Sequence, residues 1–369
     1  FAVGTKVLLY YNDQVSFQEL IPSRGFQSSM EYNMTIGLGQ ATKVDSLRVI
    51  WPNDGTQLLK DVAVNQTVNL QQASATTTYK LPKPAAITPL LSERSNTKLL
   101  THQENTYSDF DYEGLIAKKV SQEGPSLAVG DIDNDGNEDI FIGGAKGKPG
   151  QLYRHSGNAS LTPTTQAVFE SDALFEDTAA AFFDADGDGD LDLLVASGGN
   201  ELTSKQLFKP RLYNNDGKGN FSKSATDLPS AFQNMSVVAP EDFDNDGDID
   251  VFIGSRSVVG VYGIDPEHLL LENQGDGTFV DATQKLAYDT RTAGMITDAV
   301  WVDIDGDNNK DLLTVSEWSS PKIFKNTGRR LSRSETNLDS LMGWWNAVEA
   351  EDLDNDGDMD FIFGNEGTN

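Results

Sequence analysis

The sequence predicts an all-β chain made mostly of four-stranded propeller blades. Three observations carry this. An acidic nine-residue loop is written five times, β-prone apolar runs flank the copies, and the repeat interval is near fifty residues. The copies begin at Asp131, Asp184, Asp242, Asp303 and Asp352, at intervals of 53, 58, 61 and 49 residues. A period of that size suits one four-stranded blade better than a small hairpin.

Each loop places carboxylates at positions 1, 3, 5 and 9. The sets are Asp131, Asp133, Asp135 and Asp139; Asp184, Asp186, Asp188 and Asp192; and Asp242, Asp244, Asp246 and Asp250. They continue with Asp303, Asp305, Asp307 and Asp311, then Asp352, Asp354, Asp356 and Asp360. Four carboxylates this close repel one another unless a cation sits between them. Ca²⁺ takes six to eight hard oxygen ligands at about 2.3–2.6 Å, so one ion per loop is expected. A solvated acidic turn would explain one copy but not five in identical phase. An EF-hand would need a Glu at position 12 and a helix on each side. Position 12 is Ile142, Val195, Ile253, Thr314 or Phe363, which excludes it.

The remaining elements follow in order along each repeat. Strands are expected before the loop, as in Leu127–Val129 and Ala299–Val302, and after it, as in Ile140–Ile142 and Val251–Ile253. A third apolar run follows: Leu152-Tyr153, Leu212-Tyr213, Leu270-Leu271 or Ile323-Phe324. Three of these runs lead into Asn and Gly (Asn215 to Gly217, Asn273 to Gly275, Asn326 to Gly328), and the first ends at His155 and Gly157. Such turns supply the positive φ of tight hairpins. Phe221 and Phe279, each in Gly-x-Phe, read as a fourth strand returning an aromatic to the core.

These features resemble the FG-GAP or VCBS-type repeats of calcium-binding β-propellers over residues 121–369. The resemblance implies side-chain ligands at positions 1, 3, 5 and 9. It also implies a main-chain carbonyl at position 7, which is Asn137, Asp190, Asp248, Asn309 or Asp358. The fourth loop departs from the pattern: Asn308 stands where the others have Gly136, Gly189, Gly247 and Gly357. With Lys310 beside its last ligand, this loop is expected to bind most weakly. No loop lends a carboxylate to another, so the metal is expected to act blade by blade, with a disturbance reaching adjacent blades and fading beyond them.

Residues 1–75 read as a small β-sandwich or barrel-like module. Its apolar runs are Val7–Tyr10, Thr35–Gly39 and Ser46–Trp51, separated by turn signals at Asn12-Asp13 and Pro52–Gly55. Gly25-Phe26-Gln27-Ser28-Ser29, Gly37-Leu38-Gly39, Val44–Leu47, Val49, Trp51-Pro52 and Asn65-Gln66 make it similar to the ASPIC/UnbV domain. Trp51 and Phe26 are read as core anchors rather than ligand-stacking rings. Residues 76–120 are the linker and lead-in to the propeller, with Pro82, Pro84 and Pro89 marking an extended stretch. His102 beside Glu104 reads as a turn rather than a metal or acid–base pair.

A net charge of −29 argues against nucleic acid and anionic membranes as partners. The chain has no cysteine and no apolar run of transmembrane length. It opens at Phe1 and stops at Asn369, soon after the fifth loop, so a segment of a longer polypeptide is expected. That gives four to five blades of an expected seven. The only histidines are His102, His155 and His268, and neither a nucleophile elbow nor a phosphate loop is present. The expected function is a non-catalytic, calcium-binding, extracellular or bacterial cell-surface scaffold for adhesion, with an unidentified protein or glycan as partner. The alternative is a calcium-dependent polysaccharide lyase. Lys146, Arg154 and Arg256 are its candidate bases, read by default as solvated loop charges.

Overall fold

The computed structural model describes residues 2–81, 102–114, 116–157, 161–201, 204–291 and 293–367. The chain divides into two compact units, Phe1–Glu93 and Arg94–Asn369.

The first unit is one five-stranded antiparallel sheet in the order β2-β1-β3-β4-β5. Its strands are β1 (Lys6–Tyr11), β2 (Gln14–Glu19), β3 (Lys43–Ile50), β4 (Gly55–Ala63) and β5 (Thr77–Thr78). Asn12 and Asp13, with φ of 47° and 59°, close the β1–β2 hairpin. Val7, Leu9, Val44, Leu47, Val49 and Trp51 form one core, the period-2 face of a half-buried sheet. Thr35–Gly39 is not a strand. Ile36 and Leu38 pack on the core, but the segment joins no ladder, and the glycines at 37 and 39 favour irregular backbone. Trp51 is a core anchor as expected. Phe26 is not: it lies in a short loop and is 91% exposed. Pro82, Pro84 and Pro89 lie outside the described residues.

Among its described residues the second unit contains four four-stranded antiparallel sheets and one two-stranded sheet, as the repeat interval predicts for a partial β-propeller. Blade one holds β6 (Leu127–Gly130), β7 (Asp139–Ile142), β8 (Gln151–His155) and β9 (Leu161–Thr164). Blade two holds β10 (Asp177–Phe183), β11 (Asp192–Ser197), β12 (Arg211–Asn214) and β13 (Ser222–Lys223). Blade three holds β14 (Asn234–Glu241), β15 (Asp250–Ser257), β16 (Leu269–Asn273) and β17 (Phe279–Asp281). Blade four holds β18 (Met295–Val302), β19 (Asp311–Glu317), β20 (Lys322–Asn326) and β21 (Leu331–Ser334). The last pair is β22 (Trp345–Glu351) and β23 (Asp360–Asn365).

The cores of this unit lie between blades rather than inside them. One joins Phe141 and Leu152 to Leu193, Tyr213 and Phe221; the next joins Phe183 and Leu194 to Val251, Leu271 and Phe279. A third joins Phe243 and Phe252 to Leu312 and Phe324, and a fourth joins Leu313 and Ile323 to Val348 and Phe363. The inner sheets thus bury both faces only against their neighbours, the physics of stacked repeats, while the first and last sheets leave apolar residues such as Leu127 and Ile362 exposed. Phe221 and Phe279 return to these cores as the Gly-x-Phe pattern requires.

Candidate metal centres

Every acidic loop joins the first two strands of its sheet, so all five lie at the same ends of the strands. The backbone makes each loop turn twice through the left-handed region. Position 4 does so at Asn134, Gly187, Asn245, Gly306 and Asn355, and position 6 at Gly136, Gly189, Gly247, Asn308 and Gly357. Asn308 takes the turn with φ 67°, as the amide-for-glycine exchange predicts.

This path folds the loop onto its own carboxylates. The position-1 carboxylate accepts N–H groups from the far side of the turn, as Asp131 does from Asp135 (3.1 Å) and Gly136 (2.8 Å). Asp135 in turn accepts from the N–H of Asn137 at 2.8 Å. In the first four loops the position-9 carboxylate is a clamp with both oxygens used. Asp192 accepts from the N–H of Ala185 at 3.1 Å and of Asn215 at 2.8 Å, and Asp250 from Phe243 at 3.4 Å and Asn273 at 2.8 Å.

Carboxylate oxygens consequently converge within 4.8 Å of one another in all five loops, close enough to hold a metal ion. The groups are Asp131, Asp133 and Asp139; Asp184, Asp186 and Asp192; Asp242, Asp244 and Asp246; Asp303, Asp305 and Asp311; and Asp352, Asp354 and Asp356. In three of them position 3 carries the decisive feature. Asp133 Oδ1, Asp186 Oδ1 and Asp244 Oδ1 are buried and accept no hydrogen bond. A buried carboxylate oxygen without a donor is costly, and an all-oxygen set of this kind fits a hard divalent cation. Burial, with added repulsion from neighbouring carboxylates, pushes Asp192 and Asp250 up to about 7 against the pull of their N–H donors. A cation would reverse that balance.

At position 7, Asp190 and Asp248 turn their side chains against the third-to-fourth-strand hairpin. A Cβ on Gly217 would lie 2.8 Å from Asp190 Oδ2, and one on Gly275 would lie 2.7 Å from Asp248 Oδ2. Both glycines also take positive φ, where a side chain is strained, so the Asn-x-Gly turn packs against the loop as well as reversing the chain.

Sequence reading missed two sets of residues around these loops. The first is the turn asparagines. Asn215 Nδ2 donates to Leu191 O of its own loop (3.0 Å) and to Ile132 O of the preceding one (2.8 Å). Asn273 does the same with Ile249 O (3.0 Å) and Ala185 O (2.9 Å), and Asn326 with Lys310 O (3.1 Å) and Phe243 O (2.6 Å). The loops are therefore stapled in series, each to its neighbour, a contact through which a disturbance at one blade would reach the adjacent one. The recurring Asn was visible in the sequence, but its partner in the next repeat was not.

The second set is the residue just before each turn, which overhangs position 3. Arg154 Nη1 lies 3.3 Å from Asp133 Oδ2, and Asn214 Nδ2 donates to Asp186 Oδ2 at 3.1 Å. Lys325 Nζ pairs with Asp305 and lies 3.9 Å from Asp307, and in loop three Asp244 has both the Arg329 guanidinium 3.7 Å away and the carboxylate of Glu272 nearby. The ammonium that pairs with the fourth loop's carboxylates is Lys325. Lys310, expected in that role, instead interacts with Glu241.

The candidate bases are committed elsewhere or carry backbone roles. Arg256 is not a solvated loop charge: it is buried, 2.7 Å from Glu123 and 3.0 Å from Glu317. Arg154 spans Asp133 and Lys218 O, and the Lys146 N–H donates to Glu176 at 2.7 Å. His268 is fully buried, which drives it down to about 3, and its Nδ1 accepts the Ser255 N–H at 3.0 Å. His102 Nε2 and Glu104 Oε1 form a pair at 2.7 Å.

Comparison with known families agrees with this architecture. The ASPIC and UnbV family matches residues 1–77, and the FG-GAP-like repeat family matches residues 131–195, 184–253 and 303–363. The chain is an FG-GAP repeat protein with an N-terminal ASPIC/UnbV domain. All five acidic loops of this FG-GAP protein fall inside the matched segments. Similar solved structures include an Agrocybe aegerita lectin that recognises non-reducing terminal N-acetylglucosamine, 16% identical with a TM-score of 0.44. That match covers 97% of this chain and 84% of the lectin. Another is the V. cholerae biofilm matrix protein Bap1, 17% identical with a TM-score of 0.34, covering 65% of this chain and 34% of Bap1. No curated protein matches the sequence. No helix among the described residues is long and apolar enough to cross a membrane.

Proposed function

We propose that this FG-GAP repeat protein is a non-catalytic, calcium-stabilised binding scaffold of the cell exterior, presenting a propeller face to a glycan or protein partner. One observation carries the metal assignment: buried position-3 oxygens without a donor recur in loops one, two and three. Carboxylates at positions 1, 3, 5 and 9 would supply the side-chain ligands, with the position-7 carbonyl completing an all-oxygen sphere. The ion's chemistry here is structural charge neutralisation. Sites of this kind suit the calcium-rich extracellular medium, where loosely built modules bind at about 10⁻⁴–10⁻³ M. The ion pairing of Arg154 and Arg256 and the burial of His268 favour binding over lyase chemistry.

The test is a thermal melt with and without excess chelator, paired with calcium calorimetry. For a site with Kd one-hundredth of the free Ca²⁺, linkage adds about 2.7 kcal/mol. Removing several such sites is expected to lower the melting temperature of the second unit by more than ten degrees. An unchanged melt in EDTA would rule out structural metal.

A further inference from the structure

At the strand ends opposite the acidic loops, an aromatic cluster joins blades three and four to the final strand pair. Trp318 directly follows β19, whose first residue is the loop carboxylate Asp311. Seven residues at about 3.3 Å each separate the two ends by roughly 20 Å. Trp318 is 59% exposed and has φ 54°. A bulky residue in the left-handed region is an outlier that the surroundings must enforce, and such strain collects at functional positions.

The enforcement is visible. The Trp318 indole N–H donates to the Tyr262 hydroxyl at 3.0 Å, and that hydroxyl donates to Glu317. The indole lies 4.7 Å from the Trp344 ring at an interplanar angle of 31°. The neighbouring Ser319 accepts the Gly343 N–H through its carbonyl at 3.0 Å, tying the two tryptophan loops together. Beneath the rings, fully buried Glu317 meets Arg256 at 3.0 Å and Lys118 at 3.1 Å, and Arg256 also meets Glu123 at 2.7 Å. Lys118 stands 5.5 Å over Trp344 and donates to Asn346 Oδ1 at 3.4 Å.

Trp318 is therefore a fixed wall. Its edge is satisfied, its ring plane is set from two sides, and one face is left to solvent. A partner-protein hot spot is more often a knob that enters a pocket, whereas a held flat ring with polar groups at its foot suits a small cyclic ligand. The charges below the rings cancel, two cations against two anions, inside a chain of net charge −29. An anionic ligand gains nothing there and meets long-range repulsion. An uncharged ring with an apolar C–H face and a hydroxyl rim matches both parts of the site.

We propose that Trp318, backed by Trp344 and Tyr262, is a carbohydrate subsite that stacks the C–H face of a neutral sugar ring and hydrogen-bonds its hydroxyls through Lys118 and Asn346. The inference deepens the scaffold reading above and rests on it for the class of partner. Unlike the acidic loops, the cluster does not repeat, so it gives the molecule one such face among the described residues.

The test is tryptophan fluorescence of the whole chain in calcium, titrated with neutral cello-, malto-, manno- and galacto-oligosaccharides and with polyuronate. One neutral series is expected to shift the emission saturably. Trp318→Ala is expected to weaken it by about tenfold, the size of one stacking contact. Tyr262→Phe is expected to weaken it severalfold by freeing the indole edge. Trp318→Gly relieves the backbone and is expected to lose binding with its melting temperature unchanged or raised. No response to any neutral series, full affinity in Trp318→Ala, or response to polyuronate alone would each overturn the subsite. So would a steep fall in the Trp318→Gly melting temperature, or cross-linking that places a protein partner over Trp318. Saccharide binding that survives in a protein whose melt ignores EDTA would remove the calcium reading and leave this one standing.

Discussion

Replacing Asn273 by Ala tests whether the metal loops are coupled in series. The side chain is buried and makes three hydrogen bonds: Nδ2 to Ala185 O at 2.9 Å and to Ile249 O at 3.0 Å, and Oδ1 from Gly275 N–H at 3.1 Å. Alanine keeps the backbone N–H that holds Asp250 and removes the rest. Three bonds at about 0.5–1.5 kcal/mol net give a loss of roughly 2–4 kcal/mol, with the upper end favoured because buried carbonyls lose their partner. That is a large share of a typical domain's about 5–15 kcal/mol. Its distribution matters more than its size. Ala185 belongs to the loop Asp184–Asp192 and Ile249 to Asp242–Asp250, so hydrogen exchange should quicken in both. Residues 303–311 should stay protected, because their staple is Asn326. Calorimetry should show two weakened calcium sites rather than one. Loss confined to residues 242–250, or a destabilisation below about 1 kcal/mol, would refute the coupling.

Lys325→Gln removes the ammonium from Asp305 and is expected to tighten the fourth site several-fold in calcium calorimetry, while Lys310→Gln changes it little. If Lys310→Gln has the larger effect, the competing cation has been misassigned. Glu272→Gln should instead weaken the third site, measured the same way. Glu176 offers a pH test away from the loops. Burial raises it from 4.5 to about 8, so the folded chain holds its proton where the unfolded chain does not. Its contribution to stability is complete below pH 4.5 and is lost as pH rises through about 8, on the order of 5 kcal/mol in all. Glu176→Gln should flatten the urea-midpoint profile between pH 5 and 8; an unchanged slope would exclude this group as its source.

The repeat made the propeller sheets legible because each loop, strand and turn obeys local rules that recur: positive φ at fixed positions, alternation on strands, an aromatic returned by Gly-x-Phe. The N-terminal sheet has one copy of each element, and there local pattern misled. Thr35–Gly39 alternates like a strand yet finds no ladder, while Gln14–Glu19, whose alternating Val15 and Phe17 are both exposed, pairs fully with β1. Phe26 looked like an anchor because aromatics usually are, but nothing in one sequence shows that its loop faces water. Arg256 was opaque for the opposite reason. Its partners Glu123 and Glu317 are distant in sequence, and only the folding of the second unit brings them to one point. The same holds for Trp318 and Trp344, which sit in loops that do not repeat.

Blades three and four are tied at both ends, and the two ties are of different kinds. At the metal end, Asn326 of blade four donates to Phe243 O in the third loop. At the other end, Arg256 closes β15 against Glu317, which closes β19. β15 begins at Asp250 and β19 at Asp311, so each strand runs from a loop carboxylate to one member of the buried ion pair. A buried ion pair offers little net stability once desolvation is counted, and its attested use is to fix one arrangement among alternatives. Here the arrangement fixed is the height and rotation of two adjacent strands, and Trp318 hangs from the end of one of them. Burial works against the charge of Glu317, but Arg256, the Tyr262 hydroxyl, Trp344 and Lys118 outweigh it and hold the carboxyl below its ordinary value. The carboxylate therefore stays ionised and keeps accepting the bonds that set the ring. If a cation neutralises the acidic loops at one end of these strands, the ion pair fixes the other end, from which the proposed sugar-stacking ring projects.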